Sequence, residues 1–207
     1  MTSPPGERII GYDAREFSQN LDTWSEQARE GYLYRLDVVK PLSVDAMIWP
    51  SIFSADHRPP PLPHVGFQSF WSEFARLRTA VTTAFEEKPL SEYRMIAATL
   101  VLDPDANSQA VPWDERIPPV DPDRREPDWK FLGFDVADQW ALSGLTDCGF
   151  VPGLDDVRAL RQRWAPLLNK FHLFDRYSDA RDFRRFSDER MKDDHAPFFV
   201  FGLWLLR

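Results

Sequence analysis

Residues 93–102 read Tyr93-Arg94-Met95-Ile96-Ala97-Ala98-Thr99-Leu100-Val101-Leu102. From Met95 onward the run is apolar apart from Thr99, and it has no face at helical spacing. That is the pattern of a strand at the centre of a sheet, covered on both sides. Residues 196–206, with Phe198, Phe199, Val200, Phe201 and Leu203, read the same way and are far too short to span a bilayer. Two buried strands need partners. Residues 129–135 supply one, and 32–39 another, where Tyr32, Tyr34, Leu36 and Val38 alternate with residues that include Arg35 and Asp37.

Between these runs the period changes to that of helices. The stripe Phe67, Phe70, Trp71, Phe74, Leu77, Val81 and Phe85 predicts a helix over 66–87, and such a stripe is core rather than a cofactor box. In 13–30, Phe17, Leu21, Trp24 and Ala28 share a face, Asp13 and Glu16 have capping spacing, and Gly31 follows as the stop. A short helix is predicted over 43–49, before Pro50, and another over 136–145, capped by Asp135. Over 155–171, Val157, Leu160, Trp164, Leu168 and Phe171 line one face, with Pro166 kinking or splitting the helix; 179–191 is a further helix. Strands and helices alternate without a βαβ rhythm or a fixed repeat. The expected fold is α+β: a single domain over 1–207, with a mixed sheet of about four to five strands packed against several helices.

Two connections stand out. Residues 57–64 contain Pro59, Pro60, Pro61 and Pro63, an extended connector read as a stiff surface loop. Residues 103–128 hold six prolines and little that packs, with eight acidic residues against three arginines, a local charge of -5. Residues 157–192 carry ten basic and five acidic residues, a local charge of +5, within a formal net charge of -8. The chain is expected to be dipolar, and its net charge excludes broad binding to nucleic acid. Arg158, Arg161, Arg163, Arg181, Arg184, Arg185 and Arg190 interleave with Asp182, Asp188 and Glu189, the pattern of a solvated, salt-bridged helix face. One cysteine permits no internal disulfide, and 1–8 does not read as a signal peptide, so the expected location is the cytoplasm.

Motifs for chemistry are sparse. The nine glycines never reach the spacing of a nucleotide-binding loop or a nucleophile elbow. A single cysteine excludes a thiolate zinc cluster. His57, His64, His172 and His195 have no ligand spacing, and Asp193, Asp194 and His195 read as a polar helix end, so neither a metal nor a cofactor is expected. Cys148 beside Gly149 is a candidate nucleophile, with His172 or His195 as base, although free cysteine is usually buried and inert. Asp135 and Asp138 are a candidate acid–base pair, outweighed by helix capping.

The stretch Trp129-Lys130-Phe131-Leu132-Gly133-Phe134-Asp135-Val136-Ala137-Asp138, followed by Ser143-Gly144-Leu145-Thr146-Asp147-Cys148-Gly149, resembles a segment of small bacterial proteins of the immunity type, encoded beside polymorphic or contact-dependent toxins. The resemblance implies tight binding to a toxin domain and assigns no catalytic residue. The residues agree with a protein partner: Trp113, Asp114, Glu115, Asp121, Asp123, Asp128 and Trp129 offer charge for steering and aromatic anchors for affinity. The alternatives are a small hydrolase or transferase built on Cys148 or Asp135/Asp138, and an accessory protein of a phage or mobile element.

Overall fold

The computed structural model describes residues 6–16, 71, 73–84, 93–103, 129–138, 143–145, 157–169, 171, 173–192 and 196–206. Its elements are strand β1 (Glu7–Glu16), helix α1 (Phe74–Ala84), strands β2 (Tyr93–Val101) and β3 (Lys130–Ala137), helix α2 (Val157–Trp164), helix α3 (Tyr177–Arg190) and strand β4 (Phe199–Leu205). The strands form one sheet in the order β1-β2-β4-β3, and every pairing among them is antiparallel. The class is α+β. The sheet is antiparallel throughout the described strands, where a mixed one was expected.

The apolar run at 93–102 takes the central place its composition requires, with β2 hydrogen-bonded to β1 on one side and β4 on the other. Residues 96–101 are buried. Successive side chains of a strand point to opposite faces. Ile96, Ala98 and Leu100 therefore join Phe199, Phe201, Leu203, Leu132 and Ile10 on one face, with Leu173 packed among them. Val101 joins Phe134, Val136, Val200 and Phe198 on the other, under Trp164, Ala180 and Phe183. Met95 lies on that second face too, and its partner Ala14 packs with Leu77 and Val81 of α1. The register thus places α1 and α3 on the same side of the sheet.

β1 corrects the helix predicted over 13–30, whose remainder lies outside the described residues. Asp13 and Glu16 stand in a ladder opposite Ile96 and Tyr93, and Asp13 is buried in the sheet, so no helix starts at 13. Pairing with β2 along the whole of 7–16 outweighs a local capping signal. α1 begins later than its stripe suggests. Trp71 exchanges two backbone hydrogen bonds with Tyr12, each 2.9 Å, which fixes it in an extended bridge. The described helix starts beyond it, at Phe74. Pro166 acts as its chemistry dictates: α2 stops at Trp164 and a single 3-10 turn, Ala165–Leu167, follows. The predicted segments 32–39, 43–49 and 57–64 lie outside the described residues.

Candidate functional site

Of the residues proposed to bind a partner, Trp113, Asp114, Glu115, Asp121, Asp123 and Asp128 lie outside the described residues, as do Cys148 and all four histidines. Trp129 and Asp103 flank the acidic connection, and both are described. Their positions follow from the strand directions. β2 and β3 each run antiparallel to β4, so they run parallel to one another. The connection therefore leaves at one end of the sheet, near Val101 and Val200, and re-enters at the other, where Lys130 faces Leu205. Five residues of β4 separate those levels, about 17 Å of strand.

At the re-entry end an aromatic row crosses the helical face. Tyr12 of β1 stands opposite Ala97 of β2, Ala97 opposite Trp204 of β4, and Trp204 opposite Phe131 of β3. The Phe131 and Trp204 rings are 4.8 Å apart between centroids. Trp129 meets Tyr12 edge-on at 6.1 Å, and Tyr12 meets Phe74 of α1 at 5.8 Å. Small side chains in the middle of the sheet make this possible. Ala97 is fully buried, and a Cβ on Gly202 would come 2.6 Å from the Thr99 hydroxyl and 3.3 Å from the Trp204 indole nitrogen. That nitrogen donates to the Thr99 hydroxyl at 3.2 Å, and Thr99 donates to the Glu7 carboxylate at 2.9 Å. Tyr12, Phe74, Trp129, Phe131 and Trp204 are all only half-buried. The opposite face of the sheet buries its large side chains almost completely.

At the departure end lies an ionic junction. Arg184 is only 7% exposed and projects from α3 between two carboxylates. Its guanidinium lies 3.4 Å from Asp103 and donates to Asp188 at 3.1 Å. Asp188 also accepts the Phe198 N–H at 2.7 Å, at the entry to β4. Burial pushes the Asp188 carboxyl above its usual range, against the opposing pull of the Phe198 N–H and Arg184. Burial, with the charge of Asp103 beside it, pushes the Tyr177 hydroxyl up to about 12.

A pH dependence follows from Asp188. Its folded form holds a proton over a pH range in which the unfolded chain has released it, so this group's stabilising contribution is largest in acid and falls as pH rises through its folded value. Relative to wild type, Asp188→Asn is expected to gain stability between about pH 4 and pH 7. Urea unfolding of both proteins at the two pH values measures this, and a difference between them that does not change with pH would contradict it.

The carboxylate pair takes a different place from the one expected. Asp135 lies inside β3 opposite Phe201, not at a helix start. Val136 and Ala137 continue the strand, and Ser143 bridges back to Ala137. Residues 143–145 form a turn against β3, and 139–142 lie outside the described residues. The apolar run through Phe134 and Val136 finds a full ladder with β4, which a helix starting at 136 would forfeit. Asp135 caps that turn instead. Its Oδ1 accepts from the Ser143 hydroxyl at 2.7 Å and from the Val136 N–H at 2.8 Å, while Ser143 Oγ accepts the Leu145 N–H at 3.1 Å. Hydroxyl and carboxylate at that distance have the geometry of a nucleophile and its base. Yet Asp135, Asp138 and Ser143 each have 0% exposure, which leaves no surface for a substrate to reach.

The arginine-rich face is divided in its use. Arg163 stacks over Trp164 at 4.4 Å and over Phe186 at 5.4 Å, and Arg190 lies over Phe186 at 5.5 Å. Arg176 pairs with Asp179 at 2.8 Å in the first turn of α3. Arg184 alone of the described set is buried, a role its neighbours' solvated pattern concealed. Among the described residues no three His, Cys, Asp or Glu side chains gather as a metal site, and no helix is long and apolar enough to cross a membrane. Compared with family models, curated proteins and solved structures, the chain matches none.

Proposed function

We propose that this is a non-enzymatic binding protein that docks one basic protein partner on the aromatic row and on the acidic connection that ends at Trp129. In its most concrete form, the one the 129–149 resemblance implies, the partner is a toxin domain and the protein neutralises it. The carrying observation is the row itself: five half-buried aromatic side chains on the helical face, Tyr12, Phe74 and Trp129 in one group and Phe131 and Trp204 in another, with Ala97 between Tyr12 and Trp204. A stable interface needs large, rigid anchors near its centre, and Trp and Tyr are the side chains most often found there. Trp129 joins this row to the end of a connection with a local charge of -5. Acidic charge of that amount speeds encounter with a basic partner, while the rings hold it. The competing acid–base pair is sealed away from solvent, and Asp135 is committed to a turn.

The reading separates two kinetic effects. Trp129→Ala is expected to weaken binding at least about ten-fold, chiefly through faster dissociation. Asp121→Lys with Asp123→Lys is expected to slow association several-fold and to flatten its salt dependence. Surface plasmon resonance against the captured partner measures both. Unchanged rates in both variants would overturn the assignment of this surface.

A further inference from the structure

We propose that Arg184 is a positioning residue that fastens the root of the acidic connection to the body of the protein. Three separate segments meet at the Arg184–Asp188 pair. One is the exit of β2, through Asp103, whose side chain is 4% exposed. The second is α3, which carries Arg184 and Asp188 one turn apart at 3.1 Å. The third is the entry to β4, held by the Phe198 N–H on Asp188. Leu102, the residue before Asp103, donates its N–H to the Gly6 carbonyl at 2.8 Å, so the start of β1 is tied to the same corner.

The energetics say why such a junction needs a purpose. Withdrawing a guanidinium and a carboxylate from water costs about as much as their attraction returns, and apolar side chains of equal volume would pack there as stably. A buried ionic contact adds direction instead: it is satisfied only when Asp103 leaves the sheet at one place and angle. In the binding reading above, on which only this consequence rests, the junction fixes where the acidic connection begins relative to the aromatic row.

The test needs no partner, so its failure is distinct from a failure of the binding reading. The double variant Asp103→Asn with Arg184→Met removes one charge of each sign and keeps the formal net charge at -8. It is compared with wild type by hydrogen exchange and by limited trypsinolysis, with cleavage after Arg116 and Arg124 read by mass spectrometry. Exchange at Leu102 and cleavage at both arginines are expected to rise about ten-fold, with exchange at Leu203 in the middle of β4 unchanged. Asp103→Asn alone, which keeps the Arg184–Asp188 pair, is expected to give the same pattern more weakly, and it serves if the double variant does not fold. Equal acceleration at Leu102 and Leu203 would mean a general loss of stability. Unchanged cleavage would mean that the junction positions nothing. Either result overturns the proposal.

Discussion

Phe183→Ala is expected to lower the stability of the fold by about 3–5 kcal/mol. Phe183 is fully buried at the centre of an aromatic cluster on α3. Its ring centroid lies 5.0 Å from that of Trp164 and 5.4 Å from that of Phe174, in edge-on and tilted contacts. Truncation removes the hydrophobic contribution of a whole ring and leaves a void, because the neighbours belong to three different segments and cannot all close in. At about 2–4 °C per kcal/mol for a chain of this size, the melting temperature falls by roughly 10 °C. Differential scanning calorimetry decides it. A loss below about 1 kcal/mol would mean that α3 is not packed on the sheet as described.

Gly133→Ala is the second large effect, and it acts through the backbone. Gly133 has φ of 144°, in the region that favours glycine, at the point where the β3–β4 register shifts. An added Cβ would come 2.6 Å from Leu173 Cβ and 3.0 Å from the Phe174 carbonyl oxygen. The obstruction is another segment's backbone and the base of a side chain, neither of which can rotate away. Phe174 is tied to Phe134 by reciprocal backbone hydrogen bonds of 2.8 and 2.9 Å, so relief at one site breaks the other. Strain and overpacking together are expected to cost about 2–5 kcal/mol. Chemical denaturation measures the loss. Gly6→Ala is the control, since its added Cβ would meet only Leu102 at 3.9 Å, an ordinary contact. Equal stability of the two variants would contradict the bulge geometry.

These effects show which parts of the fold were legible beforehand. A long apolar run with no helical face has few options, so 93–102 and 196–206 announced two buried strands. The helix read over 179–191 is α3, although its buried face went unread, and Pro166 marked the end of α2. β1 was obscured because Asp13 and Glu16 have the spacing of a helix cap, while the pairing that decides the segment depends on residues some eighty positions away. The helix expected over 136–145 failed for a related reason: Asp135 is a good cap, but here it caps a turn through Ser143. Arg184 was legible in principle. It lies four residues after Ala180 and one after Phe183, on their side of the helix, and an arginine on an apolar face needs a buried counter-charge. Asp103, 81 positions earlier, could not be matched to it from spacing alone. The aromatic row was hidden in the same way: Trp129 was named from its place beside the acidic connection, whereas Tyr12 becomes its neighbour, and Trp204 that of Phe131, only through strand order.

The half-buried aromatic row, with the acidic connection that ends at Trp129, is proposed to hold one protein partner. The most direct test is affinity capture from the native host with wild type and Trp129→Ala side by side, the bound material being identified and quantified by mass spectrometry. Wild type is expected to retain one basic protein at equimolar amount, and Trp129→Ala little of it. Recovery of no stoichiometric protein, or equal recovery by both, would contradict it.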